Sequence, residues 1–203
     1  MNQRRIRMRA ARLTVALAVA ATGLVVATSQ VATAAIGCTT RTTSRPFSAW
    51  GDNNAYFVAP GGTFETTVGW TGTSLSRVAG NEPWKINGSG HGYSLKIGAG
   101  GQANSAQFCV NSDEDSMRLF FKAPGVSGAS LKLHIDVVSG VNRATNDYDI
   151  NGSSAGWGVM QRIMLPDIRD ASGQQYVTIT LTAQGTNATW YVDDVMVDPW
   201  KSL

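Results

Sequence analysis

The sequence is poor in the side chains on which many hydrolases and zinc proteins depend. It has two histidines and two cysteines among 203 residues. His91 lies in a glycine-rich loop, and no serine stands in a nucleophile-elbow sequence. No third cysteine and no histidine stands at ligand spacing from Cys38 or Cys109. These absences argue against nucleophilic catalysis and against a zinc site.

Long apolar runs are absent except near the start. Five arginines between residues 4 and 12 precede an apolar run over residues 13–26 and the small-residue site Ala32-Thr33-Ala34. This pattern is typical of a secretory signal peptide, and its apolar part is shorter than the roughly 20 residues of a membrane span. We expect residues 1–34 to be removed, leaving a secreted single domain over 35–203. A lipid-attachment box at residues 35–38 is a weaker alternative, because Ala35 suits it poorly and Cys38 has a cysteine to pair with.

An excess of basic charge is absent from the expected mature chain. Five of the 17 Lys and Arg residues lie in the signal segment, so 12 basic residues face 14 acidic ones in the remainder. The mature domain therefore lacks the basic stripe that nucleic-acid binding requires. We expect the mature domain to be a monomer that binds no nucleic acid and does not span a membrane.

The two cysteines form an even pair. In an oxidising compartment such a pair most simply forms a disulfide, which would join Cys38 to Cys109. This bridge would tie the mature N-terminus to the middle of the chain.

No helical periodicity is evident after the signal segment, whereas short alternating runs are frequent. Leu131, Leu133, Ile135 and Val137 alternate with polar residues, as expected of a half-buried antiparallel strand. Many short strands between Gly-rich turns predict an all-β antiparallel sandwich or barrel. The predicted strands are 55–58, 75–78, 84–86, 93–97, 106–110, 117–122, 131–138, 157–165, 176–183 and 190–197. Residues 98–101 are predicted as a turn, and the polar residues 142–156 as a long loop.

The last predicted strand contains two adjacent carboxylates, Asp193 and Asp194, within WYVDDVMVDPW. Apolar residues occur on both of its sides, so both faces should be covered. A buried charge must be paired, hydrogen-bonded or bound to a metal.

Short motifs stand near both ends of the expected mature chain: Gly61-Gly62-Thr63-Phe64-Glu65 and Gly69-Trp70, then residues 93–97, and finally residues 191–195. In this order they resemble carbohydrate-binding modules with a galactose-binding-like jelly-roll fold, in which an opening of the form NGxFE…GW lies beside a terminal DDV strand. This resemblance implies an antiparallel β-sandwich of jelly-roll type.

A second set of motifs spans nearly the whole expected mature chain: Arg45-Pro46-Phe47, Trp50-Gly51-Asp52, residues 61–65, residues 80–84 and residues 194–200. With these motifs the chain is also similar to a group of secreted actinobacterial β-sandwich proteins, a resemblance that implies no particular activity.

The resemblance to carbohydrate-binding modules implies a structural calcium that joins the opening segment to the last strand. Glu65 would be one ligand and either Asp193 or Asp194 another, since calcium prefers carboxylate and carbonyl oxygens. The alternative is that these carboxylates are hydrogen-bonded or ion-paired without a metal.

The tripeptide Asn81-Glu82-Pro83 also occurs around the acid/base of barrel glycosidases. Such a barrel needs about 250 residues, which the mature chain lacks. A glycosidase also needs a second carboxylate opposite the first. We therefore expect a turn here, and not an enzyme, with a small glycan hydrolase as the remote alternative.

Aromatic side chains are the strongest binding candidates, because an exposed ring can stack on a sugar. We expect a non-catalytic domain that binds a cell-wall or plant polysaccharide; the alternative is a structural or protein-interaction domain of the cell envelope. The polar side of the sheet, including Lys122, Lys132 and Asp136, is either a binding face or an ordinary solvated surface. The candidate ligand-binding residues are Trp84, Tyr93, Tyr148, Trp157, Arg118, His134 and Arg162.

Overall fold

The structure is a computed structural model that describes residue 38 and residues 41–66, 68–111, 113–169 and 173–199. The predicted signal segment and Trp200 lie outside the described residues. Within these residues the chain forms eleven β-strands and a short 3-10 helix, and none of the helices there is long and apolar enough to cross a membrane. The strands are β1 (Phe57–Val58), β2 (Trp70–Ala79), β3 (Tyr93–Ser105), β4 (Phe108–Val110), β5 (Glu114–Ala123), β6 (Ser130–Ser139), β7 (Asn142–Asn151), β8 (Gly156–Val159), β9 (Ile163–Met164), β10 (Gln175–Gln184) and β11 (Trp190–Pro199).

All strand pairs are antiparallel, in the order β7-β6-β10-β3-β11-β5-β8. Strand β3 belongs to both layers, because its residues 102–104 pair with β10 and its residues 95–97 pair with β11. We call β7, β6 and β10 the first layer and β11, β5 and β8 the second. The predicted all-β antiparallel sandwich is confirmed.

The change of layer occurs where β3 is richest in glycine. Gly100 has a positive φ of 69°, and a Cβ on Gly101 would lie 2.8 Å from the Gly98 and Thr73 oxygens. The neighbouring strand β2 loses register between Thr73 and Leu75 at the same level. The prediction of a turn at 98–101 was therefore wrong. These glycines bend a continuous strand between two layers.

The main core lies between the layers. Leu131, Leu133, Ile135 and Val137 of β6 are all fully buried, as the alternation predicts. They pack in one cluster with Leu119 of β5 and other residues of the second layer. Full burial of each such side chain contributes roughly 1.5–3 kcal/mol, so this cluster is the main source of stability.

The opening segment and the last strand lie side by side. Val195 donates its N–H to the Gly62 oxygen at 3.0 Å, and Ala59 donates to the Val195 oxygen at 2.8 Å. A Cβ on Gly62 would meet the Val195 oxygen at 2.8 Å, so only glycine fits this close approach. The predicted Cys38–Cys109 disulfide is also present and fastens residue 38 to β4.

Two other predicted elements were also wrong. Residues 84–86 form a turn, because their backbone amides bond to a side chain and not to a neighbouring strand. The predicted loop 142–156 is largely strand β7, which pairs with β6 along its whole length. As an edge strand, β7 directs small or polar residues such as Ala144 and Asn146 to its half-buried side, so its apolar alternation is weak.

Candidate functional site

A small aromatic cluster lies outside the main core. Phe120 points outward from β5, and the segment before β1 places Phe47 and Tyr56 against it. All three side chains are fully buried. The Phe47 and Phe120 rings stack with centroids 5.4 Å apart.

Arg118 holds this segment in place. Its guanidinium group lies 2.9 Å from the Asp52 carboxylate and 4.3 Å from the centre of the Phe47 ring. Tyr56 donates its hydroxyl to the same carboxylate at 2.6 Å. These hydrogen bonds and the neighbouring cation lower the pKa of Asp52 although burial opposes them. Arg118 is therefore buried in a structural ion pair and is not presented to solvent.

Two tryptophans are exposed on top of this cluster. Trp50 is 36% exposed and Trp84 is 45% exposed. Their ring centroids are 5.1 Å apart with an interplanar angle of 84°, and both rings contact Phe120. The pair therefore forms an open corner of two nearly perpendicular rings on a buried aromatic base, and we call it the tryptophan corner.

Trp50 enters the corner through the 3-10 helix Ser48–Trp50. The helix ends at Gly51, whose φ of 77° lies in the left-handed region that glycine favours. Trp50 was not among the residues predicted from sequence to contact a ligand. The Trp-Gly pair was a weak local signal for an exposed ring at the end of a helical turn.

Trp84 is held by the side chain of Glu82. The Glu82 carboxylate is fully buried and accepts the backbone N–H groups of Trp84, Lys85 and Ile86. The last two bonds are 2.7 Å long. The Glu82 N–H in turn donates to Asp193 at 3.1 Å. Glu82 thus caps the turn that carries Trp84, and its carboxylate oxygens are engaged by backbone amides.

Asp193 and Asp194 anchor the same turn to the sheet. Asp193 accepts the N–H groups of Glu82 and Asp194, while Asp194 accepts the side-chain amide of Asn87. Both aspartates are nearly fully buried. Asp194 lies in a bulge of β11 with a φ of 45°, a conformation that Asp and Asn adopt more readily than most residues.

Burial disfavours the charged form of both aspartates. It raises the pKa of Asp193 to about 8, with a further increase from the neighbouring Asp194 charge. It raises the pKa of Asp194 to about 7, and the Glu82 and Glu65 charges add to the increase. Glu65 follows Gly62, which accepts the N–H of Val195, so the segment that carries Glu65 passes beside Asp194.

The donor chemistry around Asp194 fits a hard cation in part. Glu65, Asp194 and Asn87 offer oxygen ligands, which calcium prefers. The Asp193 carboxylate is engaged by two backbone amides. In the described part of the chain no group of three or more His, Cys, Asp or Glu side chains is placed to hold a metal. Any calcium here would depend on Glu65 and Asp194 together with carbonyl oxygens.

Tyr93 is the first residue of β3 and packs against Arg77 of β2. It is 36% exposed, but the Arg77 guanidinium lies 3.1 Å from its ring centre. Glu65 accepts the Tyr93 and Gly92 N–H groups and lies 3.9 Å from Arg77. One face of the Tyr93 ring is therefore already occupied.

The outward face of the first layer is polar and carries several ion pairs. His134 and Lys132 lie 2.6 and 3.0 Å from the two carboxylate oxygens of Asp147. Arg143 contacts Asp136 at 2.7 Å. Tyr148 is half-buried and donates its hydroxyl to the Met164 oxygen at 3.1 Å. The structure therefore does not bring His134 or Tyr148 together with Trp84.

The remaining candidates lie on the second layer. Trp157 is half-buried on β8, packs against the aromatic cluster and is the cross-strand neighbour of Lys122. Arg162 lies between β8 and β9, 44% exposed and 3.6 Å from the buried Asp198. Among the predicted ligand-binding residues, the half-buried Trp157 and the buried Arg118 contact the aromatic cluster on which Trp84 lies.

Comparison with known proteins finds solved structures that are similar to this one, but no similar sequence family. No family model and no curated protein sequence matches the chain. The carbohydrate-binding module TmCBM61, in a complex with beta-1,4-galactotriose, has a TM-score of 0.47 and 13% identity over 70% of this chain and 98% of its own.

Two modules from Clostridium thermocellum are also similar. The family 11 module of the cellulosomal cellulase Lic26A-Cel5E has a TM-score of 0.43 and 15% identity, covering 70% of this chain and 95% of its own. The C-terminal family 22 module of Xyn10B has a TM-score of 0.44 and 15% identity, covering 75% and 99%. At these scores the similarities carry no argument about ligand or site.

Proposed function

We propose that this protein is a secreted, non-catalytic domain that binds an extracellular polysaccharide at the tryptophan corner. The exposure of Trp50 and Trp84 on a buried aromatic base is the observation that supports this proposal most strongly. Large rings with one exposed face supply apolar contact area at little cost in conformational entropy. The signal-like start and the disulfide support secretion, because disulfides persist in oxidising compartments.

The surroundings of Glu82 favour binding over hydrolysis. A catalytic acid must reach the glycosidic oxygen with a free carboxyl group. Glu82 instead is buried and accepts three backbone N–H groups. A second carboxylate could come from the acidic run Asp113-Glu114-Asp115. Glu114 of this run accepts the Asn111 N–H and pairs with Arg41. The carboxylates of Glu82 and Glu114 are therefore engaged in hydrogen bonds and an ion pair that hold the fold together.

Replacement of Trp84 by alanine should weaken polysaccharide retention by about tenfold or more, because truncating an aromatic anchor commonly costs ~2 kcal/mol. The measurement is depletion of the protein from solution by insoluble cellulose, chitin, xylan and bacterial cell-wall sacculi. Trp50→Ala should act in the same direction.

Val141→Ala is the matched control, because Val141 is fully exposed in the turn between β6 and β7, away from the corner. If the polymers retained Trp84→Ala and the wild type equally, this result would contradict the proposal that the tryptophan corner binds polysaccharide. Failure of the wild type to bind any of the four polymers would favour the structural or protein-interaction alternative.

We also propose that Glu65 and Asp194 hold a calcium ion that stabilises the fold. An ion there would offset the unfavourable burial of charge at Asp194, which is 2% exposed. It would also join the opening segment to β11. Calcium would have no catalytic part in this account.

Without calcium, the contribution of Asp194 to stability should fall as pH rises. Its folded pKa of about 7 lies above the ordinary 3.8, so the contribution is fully present below about pH 4 and is lost through pH 7. The measurement is the urea midpoint of the wild type and Asp194→Asn in chelator at pH 5 and pH 8. The wild type should lose stability relative to the variant between these values.

Calcium should reverse this trend, because it binds the ionised carboxylate. Added calcium should raise the wild-type midpoint at pH 8 and leave Asp194→Asn nearly unchanged. An equal response of the two proteins would contradict the proposed calcium site.

A further inference from the structure

Five side chains form a row across the outward face of the second layer and the adjoining strands. The strand register makes Lys122 the neighbour of both Trp157 and Tyr191, and makes Lys96 the neighbour of Tyr191 and Ser76. The flanking residues of β3 and β11 point into the core, so Lys96 and Tyr191 point outward. We call Trp157, Lys122, Tyr191, Lys96 and Ser76 the lysine row.

The row alternates aromatic rings with basic groups. Lys122 is exposed, and its ammonium lies 5.2 Å from the centre of the Tyr191 ring. Because Lys96 and Lys122 lie on the strands either side of β11, their backbones are about 10 Å apart, twice the spacing of neighbouring strands. Tyr191 therefore lies between two basic groups.

Neither lysine has a carboxylate partner among the residues that the structure describes. The first layer differs, because Lys132 there contacts Asp147 at 3.0 Å. The nearest acidic residue along β11 is Asp193, which is buried and hydrogen-bonded to backbone amides. The exposed charge of the lysine row is therefore positive, although the expected mature chain is slightly acidic.

The lysine row is continuous with the tryptophan corner. Trp157 packs on the cluster that includes Phe120, and Phe120 supports both Trp50 and Trp84. Phe120 and Lys122 are two residues apart on β5, so both point outward. A single extended chain lying across the strands would meet the corner and the row together.

We propose that the lysine row selects acidic polysaccharides, with Lys96 and Lys122 contacting acid groups on either side of a sugar that lies against Tyr191. This inference rests on the proposed function, because the row extends the same binding surface. Two lysines that lack carboxylate partners and flank an aromatic ring complement a chain that carries both sugar rings and negative charge.

The test compares acidic polymers with neutral polymers of the same backbone. The pairs are polygalacturonate with its fully methyl-esterified form, and dextran sulfate with dextran, which distinguish carboxylate from sulfate recognition. Calorimetry at low salt should show that the wild type binds at least one acidic polymer about tenfold more tightly than its neutral partner, and the preference should shrink as salt is added. Lys96→Gln/Lys122→Gln should abolish this preference, while Lys132→Gln, on the other layer, should keep it.

The inference is overturned if the double variant keeps the preference, or if Lys132→Gln loses it equally. It is also overturned if double-stranded DNA binds as tightly as the acidic polysaccharides and Tyr191→Ala does not weaken their binding, because the row would then attract any polyanion. Binding of neutral glycans without acidic preference would refute this inference and leave the proposed function intact. Failure of every polysaccharide to bind would refute the proposed function itself. An unchanged urea midpoint confirms that each variant is folded.

Discussion

Replacement of both Cys38 and Cys109 by alanine should lower the free energy of unfolding by about 4 kcal/mol. The bridge closes a loop with a sequence separation of 71 residues, and it restricts the unfolded chain more than the folded one. Cys109 is fully buried on β4, while Cys38 fastens the segment that leads to the tryptophan corner. Urea unfolding of the oxidised wild type and the double variant measures the loss.

The reduced wild type is the matched control for this variant. It has the same core composition as the oxidised protein and should unfold close to the midpoint of the double variant. A loss of less than about 1 kcal/mol in both would show that the fold confines the N-terminal segment without the bridge.

Replacement of Glu82 by alanine should cost about 2–3 kcal/mol and also abolish polysaccharide retention. The change removes the acceptor for three backbone N–H groups, and leaving buried donors unpaired typically costs 1–3 kcal/mol, less where water can reach them. The turn would then lose the bonds that orient Trp84. Urea unfolding and polymer depletion measure the two effects on the same preparations.

The control variant Glu114→Ala distinguishes a general loss of stability from a specific loss of polysaccharide binding. Glu114 is also buried, accepts the Asn111 N–H and pairs with Arg41, but it lies at the start of β5 and does not contact the Trp84 turn. We expect it to lose stability and keep retention. If both variants lost retention equally, the effect of Glu82 would be general destabilisation, and its role in positioning Trp84 would be refuted.

The sandwich could be predicted because its central strands obey one rule. Over residues 131–137 of β6 and 177–183 of β10 every second side chain is apolar and buried, so composition and spacing alone identify these strands. The edge strand β7 broke this rule, since its half-buried side includes Asn146, and the sequence therefore predicted a loop. Alternation of apolar and polar residues therefore predicts a strand only where the strands on both sides of it place its inner face against the apolar core.

The site was harder to predict because it depends on contacts between distant segments. Nothing near Trp84 in the sequence shows that Trp50 lies beside it, or that the Glu82 side chain would replace strand pairing for residues 84–86. The register that aligns Lys122 and Lys96 around Tyr191 likewise depends on which strands become neighbours. Asp193 and Asp194 were recognisable as unusual from sequence, but their partners in the Glu82–Asn87 turn were not.

The most direct measurement of the central claim is the effect of bound sugar on the tryptophan indole N–H signals in an NMR spectrum. Oligosaccharides of whichever polymer retains the protein should shift the signals of Trp50 and Trp84, while those of the buried Trp70 and Trp190 stay in place. Saturable binding with unchanged Trp50 and Trp84 signals would contradict the assignment of the tryptophan corner as the polysaccharide site.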